Sequence, residues 1–134
     1  LALTLVDTSA WVEFLRMSES PTDRALTRLI ANSDSVAVTE PVAMELLAGA
    51  RDPAGRRRLR RLLVRFDHLA FDSTIDFVEA ARIYRECRAA GHTPRNHVDC
   101  MIAAVALRND VRVLASDVDF DRISEVTGLR MQAA

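Results

Sequence analysis

Apolar positions fall in two rhythms along the chain. Some form short unbroken runs, and others recur every three or four residues over longer stretches. The runs predict strands and the recurring pattern predicts amphipathic helices. Residues 3–6 form the first strand, which stops at Asp7, and a helix follows over 8–17 with Ala10, Phe14 and Met17 at helical spacing. Ser20-Pro21 opens a second helix, Ser as N-cap and Pro in the first turn. It runs to about Asn32 with Leu26, Leu29 and Ile30 inward. A second strand at 35–38 leads into a helix over 40–50, capped by Thr39 and ending near Gly49. Asp52-Pro53 starts a further helix to about Phe66, in which Leu59, Leu62, Leu63 and Phe66 make the apolar face and Arg56, Arg57, Arg58, Arg60, Arg61 and Arg65 the other. A third strand at 68–71, a long helix over 74–90 closed by Gly91, and a helix from the Asn96 cap to Asn109 come next. A fourth strand at 112–115 and a short helix over 118–126 ending at Gly128 follow, and 129–131 is placed as a fifth, edge strand.

Short strands alternating with helices predict an α/β fold, a parallel sheet of four or five strands with helices on both faces. At 134 residues, with no repeat, linker or low-complexity segment, the chain reads as a single domain over 1–134. No apolar run approaches the roughly 20 residues of a membrane span. The basic n-region and cleavage site of a signal peptide are missing, so a cytoplasmic protein with no membrane association is expected. Cys87 and Cys100 lie in apolar helical patterns and read as small buried hydrophobes.

The net charge of −1 predicts no bulk affinity for nucleic acid, but all 18 basic residues are Arg and none is Lys. That absence excludes a P-loop, which needs its Lys on the phosphates, and Schiff-base chemistry.

The candidate chemistry lies in the acids. Asp7 and Asp117 each follow the carboxyl end of a predicted strand, the usual place for ligands of open α/β sheets. Each could instead be a helix N-cap. Glu45 lies mid-helix in PVAMELLAG, bordering the apolar face, and its alternative is an exposed helix acid. Asp99 begins a helix that is apolar all round from Cys100 to Leu107, where a charge needs a partner or a metal. Its alternative is the third position of a capping box with Asn96. If the strands ending in Asp7 and Asp117 are neighbours at the sheet's switch point, all four acids converge. Carboxylates so gathered cannot all ionise unassisted, and a divalent cation removes the conflict. All-oxygen ligands favour Mg²⁺ or Mn²⁺ over Zn²⁺. Asp119 and Asp121 are either ligands or first-turn acids favoured by the helix dipole. His68, His92 and His97 are not needed, and no Ser/His/Asp or Cys/His arrangement competes.

At LVDTSAW, TEPVAMELLAGA, HVDCMIAAVA and VLASDVDFDRI, in that order and spacing, the sequence resembles the PIN-domain ribonucleases, most closely the VapC-type toxins of type II toxin–antitoxin pairs. The resemblance covers essentially the whole chain. It implies a three-layer fold, with Asp7, Glu45, Asp99 and Asp117 as the family's four principal acids. Thr8 and Ser116 fall on the hydroxyl positions beside the first and last, and Asp119 on an accessory acidic position. It further implies Mg²⁺- or Mn²⁺-dependent endonucleolytic cleavage of RNA, tRNA or ribosomal RNA, leaving a 5′-phosphate and a 3′-hydroxyl. Asp7, Asp99 and Asp117 would hold the metal and Glu45 would complete the cluster. A homodimer is implied, and a VapB-like antitoxin whose tail lies over helices near the acids, with Trp11, Phe14 and Leu15 as candidate anchors. Arg57 and Arg60, in the Arg-rich helix, and Arg95 are candidate RNA contacts, against the alternative of a solvated helix face. Two rivals stand beside this reading. An aspartyl-nucleophile phosphohydrolase would want two acids spaced by one residue after strand one, where this chain has Asp7 and then Ser9. A catalytically silent interaction module would not need all four acids.

Overall fold

The structure, a computed structural model, describes residues 2–32 and 35–134. The elements are β1 (Thr4–Val6), α1 (Thr8–Leu15), α2 (Pro21–Ala31), β2 (Val36–Val38), α3 (Glu40–Gly49), α4 (Pro53–Leu63), β3 (Asp67–His68), α5 (Asp76–Ala89), α6 (His97–Asn109), β4 (Arg112–Leu114) and α7 (Val118–Thr127). All pairings are parallel, in the order β3-β2-β1-β4. The chain therefore builds outward from β1 to β2 and β3, then crosses to the other side of β1 for β4. The crevice beyond the carboxyl ends of β1 and β4 is the switch point of the sheet.

Side chains of a strand alternate between faces. Every residue of β1 and β2 is buried, so both faces of the sheet are covered. Helices α1 and α2 pack together, α5, α6 and α7 form a second group, and α3 touches α1, α4 and α6. Helix α6 is the central one: Cys100, Ile102, Ala103, Ala104, Val105 and Ala106 are all buried. Cys87 and Cys100 are free and buried. Among the described residues no helix is long and apolar enough to cross a membrane.

Several boundaries differ from the sequence expectation for local reasons. Strand β3 is two residues long, not four. Leu69 N–H still donates to the Val38 carbonyl (2.9 Å), but Phe71 N–H donates to Glu40 Oε1 (2.7 Å), so the backbone leaves the ladder. Helix α5 starts at Asp76 because Asp72 organises the preceding turn, its carboxylate accepting from Thr74 N–H (2.9 Å). Helix α4 stops at Leu63, and Arg65 and Phe66 donate three residues back instead of four. Helix α1 stops at Leu15, since Met17 sits at φ 51° and is exposed rather than inward. The predicted fifth strand is a single parallel bridge, Val113 to Met131, made by Val113 N–H to the Arg130 carbonyl (3.0 Å) and Gln132 N–H to the Val113 carbonyl (2.8 Å). Trp11 is wholly buried, against Phe14 and Phe66, and so is core rather than a docking anchor.

One buried ion pair fixes α6 against α5. Arg108 grips Asp76 with a two-pronged fork, Nε to Oδ1 at 3.0 Å and Nη2 to Oδ2 at 2.8 Å, and also donates to the Ala70 carbonyl at 2.7 Å. Burial pushes the Asp76 carboxyl up, but this fork and the Asp72 N–H outweigh it and hold Asp76 below the usual carboxylate range. Removing one partner of such a pair strands the other charge away from water. Arg108→Ala is expected to lower unfolding stability by roughly 2 kcal/mol, less than a fully buried pair because Arg108 is partly exposed. Urea denaturation measures this; an unchanged midpoint would mean that the pair does not brace α6.

Candidate metal centre at the carboxyl ends of the strands

Asp7 is one residue past β1, and its N–H continues the ladder to the Leu114 carbonyl of β4 (2.9 Å). Its Oδ2 then caps α1, accepting from Ser9 N–H (3.0 Å) and from the Ser9 hydroxyl (2.6 Å). The same hydroxyl accepts from Ser116 N–H (2.9 Å), so Ser9 ties Asp7 to the segment leaving β4. Asp7 Oδ1 is buried and has no hydrogen-bond partner among the described residues. A buried polar atom without a partner is rare and needs a reason.

Asp117 caps α7, its Oδ1 accepting from Asp119 N–H at 2.9 Å. Both strand-ending acids are thus caps as well as candidate ligands, and the two readings are not exclusive. Asp99 stands differently. The Asn96 side chain accepts from Val98 N–H (2.7 Å), not from Asp99, and no protein group among the described residues donates to the Asp99 carboxylate. The capping-box alternative therefore does not explain it. Glu45, half-buried on α3, accepts from the Thr8 hydroxyl at 2.6 Å.

One carboxylate oxygen from each of Asp99, Asp117 and Asp119 lies within 4.8 Å of the other two. Asp119, placed by sequence as an accessory, is therefore in the compact trio, and Asp7 stands beside it. Asp7, Asp99 and Asp119 are only 2%, 6% and 4% exposed. In the metal-free protein burial raises the Asp7 pKa to about 6, with the Glu45 charge adding and the Ser9 hydrogen bonds opposing. Burial raises Asp99 to about 8, helped by the charges of Asp7, Asp117, Glu45 and Asp119. Asp99 thus feels every other acid of the group, which is the physical content of their convergence. An all-oxygen trio with an unsatisfied carboxylate oxygen next to it fits a hard divalent cation.

Asp7, Glu45, Asp99, Asp117 and Asp119 are brought to one end of the sheet, with the Thr8 hydroxyl on Glu45. Ser116 enters through its backbone N–H rather than its hydroxyl. Arg57 and Arg60 are not among them. With Arg56, Leu47 and Pro53 they line a hollow between α3 and α4 that none of these acids reaches. Arg95 does reach the acids: its Nη2 donates to Asp117 Oδ1 (2.7 Å) and its Nε to Asp119 Oδ2 (3.2 Å). His97 stacks on Tyr84 and His68 pairs with Glu40. Two participants were missed. Ser9 had a signal, since an N-cap carboxylate reaches the residue two positions on. The Arg95 pairing had none, because it spans more than twenty residues.

The PIN domain family model matches residues 4–126. The chain belongs to the PIN-domain family. Within it this PIN domain falls among the VapC proteins: it is 43% identical to the ribonuclease VapC11 of Mycobacterium tuberculosis over 129 residues, 96% of each chain. Among solved structures its fold is similar to that of DNA-bound VapBC from Salmonella typhimurium (TM-score 0.74, 20% identity, 98% of each chain). It is also similar to VapBC-5 of Mycobacterium tuberculosis, a member of the VapBC family of toxin–antitoxin systems (TM-score 0.66, 22% identity, 100% of each chain).

The raised carboxyls of this PIN domain make its metal-free stability depend on pH. Unfolded Asp titrates near 3.9, so from about pH 4 upward the folded chain binds more protons than the unfolded one. Stability contributed by the protonated forms is full below about pH 4 and is lost as pH rises, through about 6 for Asp7 and about 8 for Asp99. The melting temperature in EDTA should therefore fall between pH 5 and 8.5 on the order of several degrees, and Asp99→Asn should flatten the upper half of the fall. A melting temperature that rises over this range would contradict the burial of unpaired acids.

Proposed function

We propose that this chain is a Mg²⁺- or Mn²⁺-dependent endoribonuclease, the toxin of a toxin–antitoxin pair that acts in the cytoplasm. One observation carries the reading: buried Asp7 Oδ1 has no partner beside the trio of Asp99, Asp117 and Asp119. Asp99, Asp117 and Asp119 would hold the cation, with Asp7 adjoining. When bound, it lowers the pKa of a water and stabilises charge at the scissile phosphate.

The chain's own residues supply position. Ser9 fixes Asp7 through one oxygen and leaves the other without a partner among the described residues, and it holds the β4 exit in the same hydrogen-bond chain. The Thr8 hydroxyl orients Glu45, which completes the acidic cluster opposite the substrate. Water attacks phosphorus in line, the bond to the 3′ oxygen breaks, and that oxygen takes a proton, leaving a 5′-phosphate and a 3′-hydroxyl. The substrate is a structured cellular RNA, tRNA or ribosomal RNA. Exposed Arg57 and Arg60, which pair with no acid among the described residues, offer its flanking phosphates a counter-charge. A VapB-like antitoxin occupies the groove between α1, α3 and α4, where Val12, Leu15, Leu46 and Leu59 give an apolar floor and Glu45 lies at the edge. The toxin works as a homodimer.

Asp7→Ala and Asp99→Asn should each reduce RNA cleavage by at least about two orders of magnitude, the scale of losing one preorganised charge-stabilising group. Circular dichroism should be unchanged. EDTA should abolish cleavage and Mn²⁺ should restore it. Undiminished cleavage by both variants, with contaminating nucleases excluded, would overturn the reading.

A further inference from the structure

Arg95 lies in the loop between α5 and α6, with its side chain 70% exposed. Three donors from this one residue reach the trio. Its backbone N–H and its Nε both donate to Asp119 Oδ2 at 3.2 Å, and its Nη2 donates to Asp117 Oδ1 at 2.7 Å. Asp117 Oδ1 also accepts from Asp119 N–H at 2.9 Å. Each of these oxygens thus receives two donors, which fills the two lone pairs of a carboxylate oxygen. Those two oxygens have no electron pair left for a cation, so with the guanidinium in place Asp117 and Asp119 offer it only their other oxygens, Asp117 Oδ2 and Asp119 Oδ1. The guanidinium is also a positive charge on two of the three carboxylates, where it repels an arriving divalent ion. Asp99, the third, has no such partner.

The two halves of Arg95 are held differently. The backbone N–H fastens the loop to Asp119 whatever the side chain does, while the exposed guanidinium has open solvent to swing into. Departure of the side chain therefore frees one lone pair on an oxygen of each acid without undocking the loop. We propose that Arg95 is a displaceable counter-ion of the metal centre. It holds Asp117 and Asp119 in order while the cation is absent, and it competes with the cation for them. This rests on the reading of the acids as a metal centre. It assigns Arg95 a role as a positioning and gating residue, distinct from a direct contact with RNA.

The test is calorimetric titration of the full chain with Mn²⁺, with no RNA present. Arg95→Ala should bind Mn²⁺ about three- to tenfold more tightly than the wild type, the scale set by an exposed ion pair. Arg95→Lys, which keeps the charge but loses the fork, should fall between the two. Arg130→Ala, which removes an equal charge from a pair with Asp110 outside the acidic cluster, should leave the affinity unchanged. Near-UV circular dichroism checks that each variant is folded. Equal or weaker binding by Arg95→Ala overturns the proposal, as does an equal gain in Arg130→Ala, which would make the effect one of net charge. Should Arg95→Ala not fold, wild-type affinity or weaker in Arg95→Lys overturns it alone. Absence of Mn²⁺ binding in wild type and variants alike overturns the metal reading itself, an outcome distinct from unaltered binding.

Discussion

Mutual repulsion among carboxylates gathered at one end of a parallel sheet is the constraint on which this molecule depends. The fold creates it. Placing β1 between β2 and β4 brings the exits of β1 and β4 side by side, so that Asp7 and Asp117 come to the same end of the sheet. Helix α6 is apolar enough to be drawn into the centre of the domain, and it carries Asp99 in with it. The Arg108–Asp76 pair braces that helix on its other side. A cluster of this kind is unfavourable in isolation, since each charge raises the energy of the others and burial raises all of them.

Three devices make the cluster tolerable, and they divide the oxygens among them. Helix N-termini take one oxygen each from Asp7 and Asp117, where backbone N–H groups and the positive end of the helix favour negative charge. Proton uptake serves Asp7 and Asp99, whose carboxyls are held well above the ordinary range. Arg95 serves Asp117 and Asp119. Among the described residues these devices leave over Asp7 Oδ1, buried and without a partner, the Asp99 carboxylate, to which nothing donates, and one oxygen each of Asp117 and Asp119. A divalent cation acts on these remainders together, which is why the arrangement supports the metal reading better than a structural one.

The sheet and the helices were legible because their apolar periodicity is a tertiary signal already: a strand buried on both faces reads as an unbroken run, and α6 reads as apolar all round. The strand-ending positions of Asp7 and Asp117 were legible for the same reason. The local ends of elements were not. Whether β3 continues past His68 is decided by Glu40, thirty-one residues from the backbone amide it captures. Trp11 gave no sign of its complete burial, since an aromatic residue suits a core and a docking surface equally. Ser9 was legible in principle as the second residue of a capped helix. Arg95 was not, because a charge beside Asn96 finds its acids only through the packing of α6 and α7. Capping and ligation, which sequence reading set against each other for Asp7 and Asp117, are compatible because a carboxylate has two oxygens.

Anomalous scattering from Mn²⁺-soaked crystals tests the central claim most directly. A peak bonded to carboxylate oxygens of Asp99, Asp117 and Asp119, with Asp7 at its edge, is the predicted result. Density empty there at saturating Mn²⁺, or a peak bound only elsewhere on the chain, would contradict it.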